Sequence, residues 1–295
     1  MMRSFLSEWV KLLRVRQLFA VWGTMAALMV LFTVLIFANA AEPAPPPAAC
    51  TANPPDLAAC QAALAEAAQS PRRGPAIPIA SLEEAGGLTS VLGFGGSILG
   101  IITLVVFAGN LAAEYSNGTL KLLLSRQPRR LMLLGGKLTA LASFAIAGVT
   151  IAALAQMLAA VAVASARGFD TSAWWTAENL GNAIGLIGRL WGAMLVWGAL
   201  GTVLAILLRS GPAAIGIGIG YVLVGEGLLS LALPDVVRYL PGQVISAFVA
   251  LGKASAQGGS TNPVDFGLSI VLMAVYLVLF LGVAGGIFRS RDVST

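Results

Sequence analysis

Six apolar runs divide the chain, and polar stretches of very different character separate them. They cover Leu18–Ala38, Val91–Ala113, Thr139–Ala164, Ala183–Leu208, Ala213–Leu233 and Gly267–Phe288. Each is near the roughly 20 residues that a helix needs to cross a bilayer. The runs are continuous rather than striped, so they predict membrane-spanning helices and not the amphipathic helices of one soluble core. Residues 41–88 open with AEPAPPPAACTANPPDLAAC and predict a long, Pro/Ala-rich loop outside the membrane. Residues 234–266 hold QVISAFVAL between Pro241 and AQGGSTNP, too short to span, which predicts a re-entrant or extracellular interfacial helix before the last span.

Composition supports the same fold class, an all-α polytopic membrane protein. The 295 residues are 58% hydrophobic and 11% charged, against roughly 25% charged in a soluble domain. One transmembrane domain over residues 1–295 accounts for the whole chain. The net charge of +5 therefore bears on topology and lipid contact rather than on nucleic acid. With the N-terminus inside, Arg3, Lys11, Arg14, Arg16, Lys121, Arg126, Arg129, Arg130, Lys137, Arg209, Arg289 and Arg291 lie on the cytoplasmic side. Only Arg72, Arg73, Arg167, Arg238 and Lys253 lie opposite, so the positive-inside rule puts both termini in the cytoplasm. Ala38-Asn39-Ala40 has the small residues of a signal cleavage site, but the apolar run before it exceeds the roughly 7–15 residues of a secretory signal and suits a retained anchor.

The candidate chemistry is sparse. Cys50 and Cys60 both fall in the long outer loop, where an oxidising exterior would let them form a disulfide. Without a single His, two thiols supply too few ligands for a closed zinc site, and no metal is expected. The GGKLT at Gly135–Thr139 is not a phosphate loop: Leu138 stands where Ser or Thr must reach magnesium, and Leu131 where the first Gly belongs. Lys137 is expected instead to snorkel from the start of the third span. Thr119 to Arg126 sorts Leu120, Leu123 and Leu124 from Lys121, Ser125 and Arg126, a short amphipathic helix between Gly118 and Pro128 or an ordinary topology-setting loop.

These residues resemble the integral membrane subunits of ABC-2 type (type V) transporters. In that family an acidic residue ends the second span, followed by a Gly-Thr pair, leucines, a Pro with nearby Arg, and a Lys opening the third span. Glu114, Gly118, Thr119, Leu123, Pro128, Arg130 and Lys137 match that order. SEWVKLLRVRQLF resembles the amphipathic connecting helix (1–17) that precedes the first span, with Phe5, Trp9, Lys11, Leu13 and Arg14 on an interfacial helix. Arg129-Arg130 directly after Pro128 and the length of the first outer loop depart from the usual pattern. The resemblance implies a permease subunit that pairs with a second copy and docks through a coupling segment (114–130), including Lys121, Arg126 and Arg129, onto a separate ATP-binding cassette subunit. That partner would carry ATP and Mg; the permease itself would have no cofactor, no catalytic residue and no nucleotide-binding domain. The implied location is the cell membrane and the implied activity export of a drug, antibiotic, lipid or peptide.

Two ionisable residues fall within spans, Arg189 in the fourth and Glu226 in the fifth, at similar depth from the outer side. Burial of a charge in lipid is costly, so they are expected to form an intramembrane polar pair. Should each keep separate company, an ion-coupled carrier or channel without an ATPase partner becomes the alternative. Gly216 and Gly220, like Gly96 and Gly100, present small-xxx-small faces; for the fifth span this suggests a dimer interface or internal packing. Trp174 and Trp175 are expected in the interfacial aromatic belt.

Overall fold

The computed structural model describes residues 9–10, 12, 19–41, 50, 57–62, 77–84, 86–116, 130–253 and 263–290. Among them six helices are long and apolar enough to cross a membrane: Phe19–Ala38, Gly87–Tyr115, Leu131–Ala166, Ala177–Leu208, Gly211–Ser230 and Phe266–Ser290, spans 1 to 6. The protein is an all-α polytopic membrane protein, the architecture in which every backbone polar group is satisfied within its own segment. Buried hydroxyls follow the same rule. Thr33, Thr103 and Thr202 donate to the carbonyls of Met29, Leu99 and Gly198, each four residues back, at 3.0, 2.8 and 2.9 Å.

Span 4 is the centre of the bundle. It packs along span 2, touches spans 3, 5 and 6, and supports the short helix Pro241–Val249. Its start is built by Thr176, whose hydroxyl accepts the Asn179 N–H at 3.3 Å, with Glu178 in the first turn where the helix dipole favours an acid. Its end is a left-handed cap at Arg209, whose N–H bonds the Ala205 carbonyl, so that span 5 begins two residues later at Gly211-Pro212. Spans 1 and 3 form a second packed pair.

Spans 2 and 3 depart from the continuity and length that their apolar runs predict. Span 3 belongs to a continuous helix, Arg130–Ala166, of 37 residues; at 1.5 Å per residue it is about 55 Å long, far more than the hydrocarbon core requires. Span 2 is broken between Gly87–Phe94 and Gly96–Ser116. The break frees the Val91 carbonyl, which accepts the side-chain amide of buried Gln156 in span 3 at 2.8 Å. Gln156→Leu would strand that carbonyl and is expected to cost about 1–3 kcal/mol, read as a lower thermal midpoint in detergent.

The connections at the long-loop end are tied down by specific bonds. A two-residue parallel ladder joins β1 (Ala40–Ala41) to β2 (Ile77–Pro78), in register Ala40 with Ile77 and Ala41 with Pro78. It gathers the two ends of the Pro/Ala-rich loop, within which Cys50 and Cys60 form a disulfide. Trp174 is buried, its indole N–H donating to the Leu82 carbonyl at 2.9 Å, so it is a core residue and not part of an aromatic belt; Trp175 beside it is 49% exposed. The Arg167 guanidinium donates to the Phe37 carbonyl, joining the ends of spans 1 and 3. Asp170 accepts the Ser172 N–H at 2.9 Å, and hydrogen bonds from Ser172 hold its carboxyl below the ordinary carboxylate value.

Candidate functional site

Among the described residues, ionisable side chains are engaged inside the apolar bundle near both of its ends. At the long-loop end the assembly is built on an irregularity of span 5. The α-helix Gly211–Gly220 passes into a π-helical turn, Tyr221–Gly225, and resumes at Glu226–Ala232. At 100° per residue, positions five apart in an α-helix point about 140° away from one another. The π turn closes that gap. The Glu226 N–H bonds the Tyr221 carbonyl, and the Tyr221 hydroxyl donates to Glu226 Oε1 at 2.7 Å.

Glu226 Oε1 also accepts the backbone N–H of Gly242 at 2.7 Å, and Oε2 accepts the Gln243 amide at 3.3 Å. Gly242 is the second residue of the helix Pro241–Val249, so the carboxylate caps the positive end of that helix's dipole. Pro241 has no N–H to satisfy, and Val244 N–H already bonds Leu240 O at 2.9 Å. A Cβ at position 242 would collide with both carboxyl oxygens of Glu226; glycine is what lets the carboxylate reach the backbone.

Arg189 of span 4 holds the other end of the same helix. The carbonyls of Ser246, Ala247, Phe248 and Ala250 accept backbone N–H groups of Ala250, Gly252, Leu251 and Lys253. The Val249 carbonyl is filled by Arg189 Nε at 3.0 Å. A cation thus meets the negative end of the dipole. Arg189 and Glu226 therefore do not form the direct ion pair that their depth in the sequence predicts; the nine-residue helix lies between them and presents each with a terminus of opposite sign. Tyr276 of span 6 donates to the Tyr239 carbonyl at 2.5 Å, and Phe248 stacks on Phe266 with ring centres 5.8 Å apart. Arg238 has a buried Nε with no hydrogen-bond partner, and its guanidinium lies 4.8 Å from the centre of the Tyr239 ring.

At the basic end, Glu114 near the end of span 2 and Lys137 of span 3 form an ion pair, the one between described residues. Lys137 is 4% exposed and does not snorkel: the span 3 helix starts seven residues earlier, which puts the ammonium beside span 2. Of the coupling segment read from the sequence, Gly118, Thr119, Lys121, Leu123, Arg126, Pro128 and Arg129 lie outside the described residues, and Arg130 is the first residue of the span 3 helix. The segment is thus bracketed by two helices whose ends the ion pair ties together.

The interfacial helix is described only in part, with Phe5, Lys11, Leu13 and Arg14 outside the described residues. Leu12 is buried in a cluster with Phe107, Leu141 and Phe144, and Trp9 meets Phe144 edge-on at 6.5 Å. Leu12 thus packs on spans 2 and 3, and half-buried Trp9 lies against span 3. The glycine faces divide as well. A Cβ on Gly100 would meet Trp197 of span 4 at 2.6 Å, so the span 2 face serves internal packing, whereas Gly216 and Gly220 have open space around them. Nothing in the amino-acid pattern marks Gly242 or Val249 as partners of the two charges, because a backbone group carries no sequence signal.

One family matches this chain, Protein of unknown function (DUF2705), over residues 76–294. The chain belongs to that family. The match starts one residue before β2 and takes in spans 2 to 6, and with them both polar assemblies. No curated protein matches the chain.

Proposed function

We propose that this member of the DUF2705 family is the membrane-spanning permease subunit of an ATP-driven exporter of the ABC-2 type. The observation that carries the reading is the Glu114–Lys137 ion pair, which locks together the two spans flanking the basic segment 117–129. A segment joined stiffly at both ends moves its spans when a partner moves it. The order Glu114, Gly118, Thr119, Leu123, Pro128, Arg130, Lys137 supports the same reading, as do six spans and a short helix before the last.

In this mechanism a separate cassette subunit, holding ATP and Mg, docks on 114–130 through Lys121, Arg126, Arg129 and Arg130. Its closing and opening shift spans 2 and 3. Both termini lie in the cytoplasm, the chain sits in the cell membrane, and two copies meet along the open Gly216 and Gly220 face. The cargo is hydrophobic or amphipathic. An ion-coupled carrier working alone would rest on Arg189 and Glu226, but both are engaged by the helix between them.

Purification of the tagged protein in mild detergent from its native host is expected to bring a stoichiometric cassette protein and ATP hydrolysis. Changing Arg126, Arg129 and Arg130 to Ala should remove both. A lone permease that transports in liposomes without ATP would overturn the proposal.

A further inference from the structure

We infer that the helix Pro241–Val249 is a lid held at its two ends by separate clasps, a rigid one at Arg189 and a releasable one at Glu226. The inference does not depend on the exporter reading, since it concerns only how this helix is held.

The two ends differ in what stands behind them. Arg189 belongs to span 4, the most buried helix of the bundle, with Leu186 and Leu190 packed on either side of it in the core. Glu226 belongs to span 5 at the point where a π turn gives way to a single short α-helix of seven residues. Around it Leu223, Val224, Leu228 and Leu229 are exposed, and Gly220 and Gly227 have no atoms nearby that a Cβ would meet. A π turn is a point where a helix changes register at low cost and is found often at functional sites. Any shift of that turn carries the Tyr221–Glu226 unit with it and draws the carboxylate from the Gly242 N–H, while the Arg189 contact to Val249 stays. The lid would then swing about its Val249 end.

Its own sequence suits a swinging element. Pro241 and Gly242 open the helix, and Leu251 and Gly252, both at positive φ, close it. Its buried face, Val244, Ile245 and Ala247, covers the core between spans 4 and 6. Lifting the Pro241 end therefore uncovers Val244 first.

The two cysteines of the chain are bonded to each other, so an introduced thiol is the only free one. Val244→Cys is fully buried when the lid is seated. In nanodiscs its reaction with a charged maleimide is expected to speed up about tenfold or more in Glu226→Ala, in line with loss of hydrogen bonds to a charged acceptor. Glu226→Gln and Tyr221→Phe, milder changes less prone to misfolding, should give smaller increases. Ala247→Cys, nearer Arg189, should respond less to these changes and more to Arg189→Ala. Ala193→Cys in span 4 should stay unreactive throughout. An unchanged rate at Val244→Cys in all three Glu226 and Tyr221 variants would overturn the inference. So would a parallel rise at Ala193→Cys, which marks general loosening, or equal responses of positions 244 and 247.

Discussion

Replacing Gly201 with valine is expected to abolish the folded bundle. A Cβ at 201 would lie 2.5 Å from the Leu104 carbonyl oxygen and 3.3 Å from the Ala108 nitrogen. Both obstacles are backbone atoms of span 2, so no rotamer change relieves the clash. Spans 2 and 4 would have to separate along their most extensive contact, where Phe107 packs on Gly198 and Trp197 on Gly100. Overpacking a yielding core costs about 1–3 kcal/mol, and a backbone obstacle puts this site at or beyond the upper end of that range. Gly201→Ala should therefore lower the thermal midpoint in detergent sharply, and Gly201→Val should leave no monodisperse protein. The matched control is Gly216→Ala, where nothing lies within 4 Å of the new methyl. It should leave the stability of a single subunit unchanged. Equal tolerance at 201 and 216 would show that the span 2 and span 4 backbones are not in close contact.

Lys137→Ala is expected to destabilise the protein by roughly 3–5 kcal/mol, the cost of removing one partner from a buried ion pair. The two side chains are 5% and 14% exposed, so water cannot replace the lost cation well. Most of this cost comes from taking the Lys137 cation away from the Glu114 carboxylate. Adding Glu114→Gln to Lys137→Ala should accordingly recover much of the midpoint, and the exchange Glu114→Lys with Lys137→Glu should recover part of it. If the coupling reading holds, the neutral double variant should be stable but deficient in ATP-dependent transport, because spans 2 and 3 would no longer move together. A Lys137→Ala midpoint within one degree of the parent would sink the ion pair as a structural tie.

The contrast between those two sites bears on what can be read from residues alone. Lys137 is legible as a cation near a span end, yet whether it faces lipid headgroups or another helix depends on where its helix begins. The apolar run suggests Thr139, but the helix starts at Arg130, because polar residues at a membrane surface are as able to be helical as apolar ones. Trp174 has the same history. Its amphipathic indole suggests an interface, and its surroundings turn out to be protein. Hydrophobicity reports removal from water and does not distinguish lipid from a neighbouring helix.

By itself the sequence determined the number of candidate spans, the place of each apolar run along the chain, and the position of the short helix before span 6. Each follows from transfer of apolar and charged groups between water and a layer of known thickness, a one-dimensional property that composition along the chain carries. Tertiary structure alone decided the partners. Arg189 and Glu226 could not be matched from sequence because each binds a backbone group at one end of Pro241–Val249, and every residue type offers the same backbone. The π turn that brings Tyr221 onto Glu226, and the close approach that requires Gly201 where Gly216 stands open, likewise depend on neighbours far along the chain. Packing and hydrogen bonding are three-dimensional and short-ranged, so they are fixed only when the helices are assembled.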